Sequence, residues 1–198
     1  MTPLYRLDAP AAAVAAAFGA DANRDPWAGG YVAPGRPAPV IIRDEKSGMR
    51  RLRPMFWGVP PPPRGDAPVT TVRNPDSPFW IGTLRHTELR CLVPATGFPL
   101  WSGPPGARRQ HWAAIADRPI FAFAGIVRHA DDLPHFALLT TDPNPMLARF
   151  STAAMPLILH AGDEERWLTA GWKGDADSLV TPFPGQLMRI GDAPPTSG

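Results

Sequence analysis

Residues 90–101 read Arg-Cys-Leu-Val-Pro-Ala-Thr-Gly-Phe-Pro-Leu-Trp, and the rest of the chain is best read outward from them. Each half is an apolar run too short for a helix and is stopped by proline or Gly97, so strands are expected at 90–94 and 98–101. Upstream, 39–43 and 49–55 are strand candidates joined by a turn at 45–48, which makes a hairpin. Downstream, 112–116, 120–127 and 136–141 are three more, separated by Asp117-Arg118-Pro119 and a polar segment at 128–134. An antiparallel meander is the simplest connection among these three.

Helices should be few and short. The 27 prolines and 18 glycines among 198 residues work against long ones, because proline removes an amide donor and clashes with the preceding turn. One clear helix is expected at Ala11–Phe18, with Asp8 as its cap, Pro10 in its first turn and Gly19 ending it. Shorter ones are expected at 79–85 and 161–169, the latter with Asp163, Glu164 and Glu165 at its N-terminal end and Trp167 and Leu168 on its buried side. Together these give a single α+β domain over 1–190, built on a mixed or antiparallel barrel-like sheet with a few short peripheral helices; the tail at 191–198 is expected to be disordered. The tract 56–68, with Pro60 to Pro63 in succession, is expected to be an irregular surface segment.

With 44% hydrophobic and 19% charged residues the composition is that of a globular protein. Net charge is only +2, yet the 20 basic residues include just Lys46 and Lys173, leaving 18 arginines. Arginine's planar fork suits phosphate contacts, although GC-rich coding gives the same bias and so small a net charge does not make a DNA-binding face by itself. The single cysteine, Cys91, excludes an internal disulfide and fits a reducing compartment. Cys91, His86, His111, His129, His135 and His160 show no paired ligand spacing, so neither a metal nor another cofactor is expected. No signal peptide and no apolar run of about 20 residues is present. A cytoplasmic monomer without membrane contact is the expectation.

Four blocks carry a resemblance. They are Leu4-Tyr5-Arg6 near the start, Thr71-Val72-Arg73-Asn74, the 90–101 stretch, and Met155-Pro156-Leu157-Ile158-Leu159. Supporting matches lie between them at Tyr31 to Pro34, Trp57-Gly58-Val59-Pro60, Phe123-Ala124-Gly125-Ile126 and Thr140-Thr141-Asp142-Pro143-Asn144. In order and spacing the set resembles the SOS response-associated peptidase family, which captures abasic sites in single-stranded DNA. The resemblance spans about residues 2–170.

That resemblance implies a mechanism whose reacting groups are exchanged here. The family exposes a cysteine at position 2, whose amine and thiol close a thiazolidine with the open sugar; this chain has Thr2, and Pro3 disfavours removal of Met1. A threonine amine can still form a Schiff base and its hydroxyl a weaker oxazolidine. The family's asparagine falls at Thr71, its proton-shuttling glutamate at Leu100, and its histidine at Ser151 or Thr152, none of which titrates near neutral pH. His160 lies too far along to substitute.

For DNA binding the resemblance points to Arg6, Trp57, Arg73, Asn74, Met155 and Pro156, with Arg90 or Arg149 as further cleft cations. Each has a plainer reading: Trp57 in the core, Arg73 in a surface ion pair, Asn74 in a turn, Met155 and Pro156 closing the barrel. Three functions follow as expectations: a cleft for single-stranded or abasic DNA without the crosslink, a non-nucleic-acid interaction module using the proline tract and exposed tryptophans, or residual Schiff-base or autopeptidase chemistry through Thr2.

Overall fold

The computed structural model describes residues 4–63, 65–150 and 152–195. Strand β1 (Tyr5–Leu7) leads into helix α1 (Ala11–Phe18), followed by β2 (Ala20–Asp21), β3 (Gly30–Val32), β4 (Pro37–Arg43), β5 (Arg50–Trp57) and β6 (Thr71–Val72). Then come α2 (Ile81–Leu84), β7 (Arg90–Ala95), β8 (Phe98–Ser102), β9 (Arg109–Ile115), β10 (Phe121–Ala130) and β11 (Leu133–Thr141). The short β12 (Met155–Pro156) and β13 (Ile158–Leu159), α3 (Glu164–Thr169) and β14 (Met188–Gly191) complete the order.

The fold is α+β around a closed mixed barrel. Strands run β11-β10-β7-β4-β5, and β5 returns to pair in parallel with β11 through His135 opposite Phe56 and Phe136 opposite Trp57. Closure leaves no free edge in this ring. β7 is buried along its whole length and β10 through Val127, which explains why both read as continuous apolar runs rather than alternating ones. Gly125 on β10 is required by close approach: a Cβ there would stand 2.8 Å from Val93 and 2.9 Å from the Cys91 sulfur.

The hairpin β4–β5 is antiparallel throughout, as expected from its turn. Helix α1 has the expected bounds and ends at Gly19 with φ +58°, but Asp8 does not cap it: Pro10 occupies the cap position without a side-chain bond, and Asp8 instead pairs with Arg6 at 3.0 Å. The meander is also corrected. β10 and β11 form a hairpin, while β9 leaves the barrel to lie between β8 and β14 in a separate three-stranded sheet. That sheet lets β8 carry its side chains across the barrel mouth.

The chain continues past β14 into contacts: Asp192 meets His111, and a Cβ on Gly97 would collide with Pro195 at 2.6 Å. No helix among the described residues is long and apolar enough to cross a membrane. Of the seven tryptophans, Trp57, Trp80, Trp112, Trp167 and Trp172 are buried and Trp27 and Trp101 are half-buried, so the exposed tryptophans expected of an interaction module are not there.

Two acidic groups sit inside the core. Desolvation pushes the Cys91 thiol up from its ordinary value of 9.0, and desolvation followed by the proximity of Cys91 pushes the Tyr5 hydroxyl well above 10.0. The folded state therefore keeps protons that the unfolded chain releases, and stability falls as pH rises above about 9. Urea denaturation between about pH 8 and pH 10 should show this fall, and Cys91→Ala should flatten its first part. An unchanged slope in that variant would contradict the account.

Candidate functional site

The barrel mouth opens into a cavity of about 640 Å³. β1 brings the start of the described chain to it: Arg6 N–H donates to Gly97 O at 2.8 Å, Thr96 N–H returns to Arg6 O at 2.7 Å, and Leu4 and Tyr5 border the cavity. β6 lies parallel to β11, with Thr71 opposite Leu138, which turns Thr71 and Arg73 to the same opening. β8 supplies Phe98, Pro99, Leu100 and Trp101, and the segment 152–156 closes the remaining side. Met155 and Pro156 are held there by pairing with Thr141 and Thr140.

Thr71, Leu100 and Thr152 thus line one cavity. Thr2 and Ser151 lie outside the described residues. Thr152 Oγ1 donates to Ala154 O at 2.5 Å, and Thr140 Oγ1 donates to Val72 O at 3.3 Å. The described lining residues include no histidine, carboxylate, cysteine or lysine, and Tyr5 is buried with its hydroxyl pushed upward by desolvation. The cavity's described lining holds hydroxyls, aromatic faces and one cation, Arg73.

The expected DNA contacts divide. Arg73 lines the cavity, donating to Thr141 O at 2.9 Å and to Asp142 Oδ1 at 2.7 Å, with its side chain 51% exposed. Met155 and Pro156 line it also. Trp57 borders it but is buried, its Nε1 donating to Thr70 O at 3.0 Å and its ring stacked on Phe136, so its faces are already covered. Arg6 is turned away, pairing with Asp8 and lying 4.8 Å over the Tyr31 ring. Asn74 accepts from Asp76 N–H in a turn.

Arg149 is not in the wall. Arg90 is corrected outright: it is 1% exposed, and its guanidinium donates to Trp167 O and Ala170 O, satisfying carbonyls at the end of α3. His160 stacks on Phe183 and borders a different, smaller cavity.

Phe123 and Thr140, quoted only as supporting matches, belong to the wall, and both were available as motif residues. Ala153 and Ala154 lie inside the block that runs from Ser151 to Leu159, whereas Leu138 carries no signal, because only the long-range pairing of β11 with β6 brings it in. No group of three His, Cys, Asp or Glu residues among those described could hold a metal.

The chain matches the family model described as SOS response associated peptidase (SRAP) over residues 1–193. Similar solved structures include a protein from Bacteroides thetaiotaomicron, with TM-score 0.77, 21% identity and coverage of 94% of this chain and 90% of that one. A Bordetella bronchiseptica protein superposes with TM-score 0.79 at 17% identity, covering 96% and 99%. A phage-related protein from the same organism gives 0.72 at 18%, covering 95% and 92%. No curated protein sequence matches the chain significantly.

Proposed function

We propose, for a chain that belongs to the SOS response associated peptidase family, a cavity that holds single-stranded DNA at an unpaired or abasic nucleotide without forming the family's covalent crosslink. The observation that carries this reading is the shared wall of Thr71, Leu100 and Thr152, with no histidine, carboxylate, cysteine or lysine among the described lining residues. A volume of about 640 Å³ falls within the range of small-molecule sites and suits a nucleotide-sized group. Threonine hydroxyls can bond sugar or phosphate oxygens, and Phe98 and Trp101 offer apolar surface to a base. Arg73 is the phosphate contact: its present partner Asp142 is 81% exposed, and an exposed pair of this kind is worth at most about 1 kcal/mol. Exchanging it for a phosphate therefore costs little.

Fluorescence anisotropy with a labelled single strand, at about 50 and 200 mM salt, tests the reading. Affinity should fall with salt through counterion release, and Arg73→Ala should reduce the log–log slope by about 0.7. No saturable binding at the lower salt would reject it. The mainly apolar wall, with a single cation among its described residues, favours as the second reading an apolar non-nucleic-acid ligand in the same cavity, and that reading predicts the negative result.

A further inference from the structure

Ser102, His111 and Asp192 form a hydrogen-bonded chain at the edge of β8 and β9. Ser102 Oγ lies 2.7 Å from His111 Nε2, and His111 Nδ1 lies 2.7 Å from Asp192 Oδ1. A carboxylate accepts, so Nδ1–H donates to Asp192, and in the tautomer that leaves Nε2 bare the Ser102 O–H donates to it. A hydroxyl on a basic nitrogen, with the ring oriented from its other side, is the arrangement that activates a serine nucleophile, and it is recognised by geometry rather than by sequence position.

The surroundings supply a place for a substrate. Leu100 and Ser102 are two apart on β8 and so face the same side, with His111 directly opposite Leu100 in register. Leu100 and Trp101 belong to the cavity wall, and the His111 ring is 5.3 Å from Phe150, just before the 152–156 wall segment. Ser102 and His111 are half-buried, neither sealed in the core nor fully solvated.

We propose that Ser102, His111 and Asp192 make this chain a serine hydrolase of carboxylic esters with apolar acyl groups, the acyl group lodging over Leu100 and Trp101 at the cavity rim. Ser102 Oγ attacks the ester carbonyl, forming the Oγ–C bond as its proton passes to His111 Nε2. The tetrahedral intermediate collapses with cleavage of the C–O bond, and His111 returns the proton to the departing alcohol. Water then attacks the acyl-serine, giving a proton to His111; the Oγ–C bond breaks, His111 Nε2 returns that proton to Ser102 Oγ, and the carboxylic acid leaves. Asp192 is a positioning residue that holds the imidazole in the productive tautomer.

The test uses the full chain with a fluorophosphonate probe, mapped by peptide mass, and p-nitrophenyl butanoate turnover. Expected are stoichiometric phosphonylation of Ser102 in the folded protein and ester turnover lost in Ser102→Ala. His111→Gln should lower turnover by about 100-fold or more, the scale of one general base. Asp192→Asn should lower kcat and the labelling rate with KM unchanged. Melting curves of each variant identify any that fail to fold, and DNA binding by Ser102→Ala should be unaltered, which separates this site from the cavity reading. A network that merely ties residue 192 to β9 predicts lower melting temperatures in the variants with no labelling of the unaltered chain, and that result overturns the proposal.

Discussion

Replacing Glu164 with alanine should lower the unfolding free energy by about 3–5 kcal/mol, the cost of breaking a buried ion pair from one side. Glu164 opens α3, yet its side chain is only 5% exposed and sits between two guanidinium groups. Arg50 reaches it at 3.2 Å and also donates to Phe18 O at the end of α1, while Arg118 bonds the other carboxylate oxygen. The carboxylate therefore joins α3, β5, the end of α1 and the segment before β10. Removing it takes the carboxylate from Arg118 and leaves Arg50 with only the exposed Glu165, at 2.9 Å. Urea denaturation measures the loss, and thermal melting should drop by roughly 10 °C. Glu164→Gln, which keeps the shape and removes the charge, should fall between the two. A change under about 1 kcal/mol in the alanine variant would mean that the pair is solvated as ordinary surface ion pairs are.

How much of this was legible depended on whether a feature was local. The β4–β5 hairpin, α1 and the β7–β8 block followed from turns, a glycine stop and apolar runs that need no distant partner. The parallel return of β5 onto β11 left no mark in sequence, because Phe56 and His135 are joined only by the tertiary path of the whole barrel. The departure of β9 was hidden for the same reason: its partner β14 lies more than seventy residues on. Arg90 was readable as a cleft cation until its burial showed the guanidinium serving the α3 carbonyls.

The candidate site was legible through motifs rather than through physics. Thr71, Leu100 and Thr152 are unremarkable residues by composition, and only their place in ordered blocks singled them out. Ser102, His111 and Asp192 had no such blocks, so their adjacency emerged only from the pairing of β8, β9 and β14.

The second large effect is a reaction that should not happen. One well-placed general acid or base contributes about 10²–10⁴-fold to a rate, and Leu100 and Thr152 occupy two positions where the family resemblance implies such groups. At residue 2, where the same resemblance implies a thiol that closes a stable ring, this chain has a threonine hydroxyl. An abasic aldehyde held in the cavity should therefore be bound and released unchanged, whatever Arg73 contributes to its capture. The direct measurement is intact mass under denaturing conditions after incubation with an abasic single strand, with and without borohydride. The account predicts unmodified polypeptide in both samples alongside a salt-sensitive complex on a native gel; a durable adduct mapped to the amino terminus would contradict it.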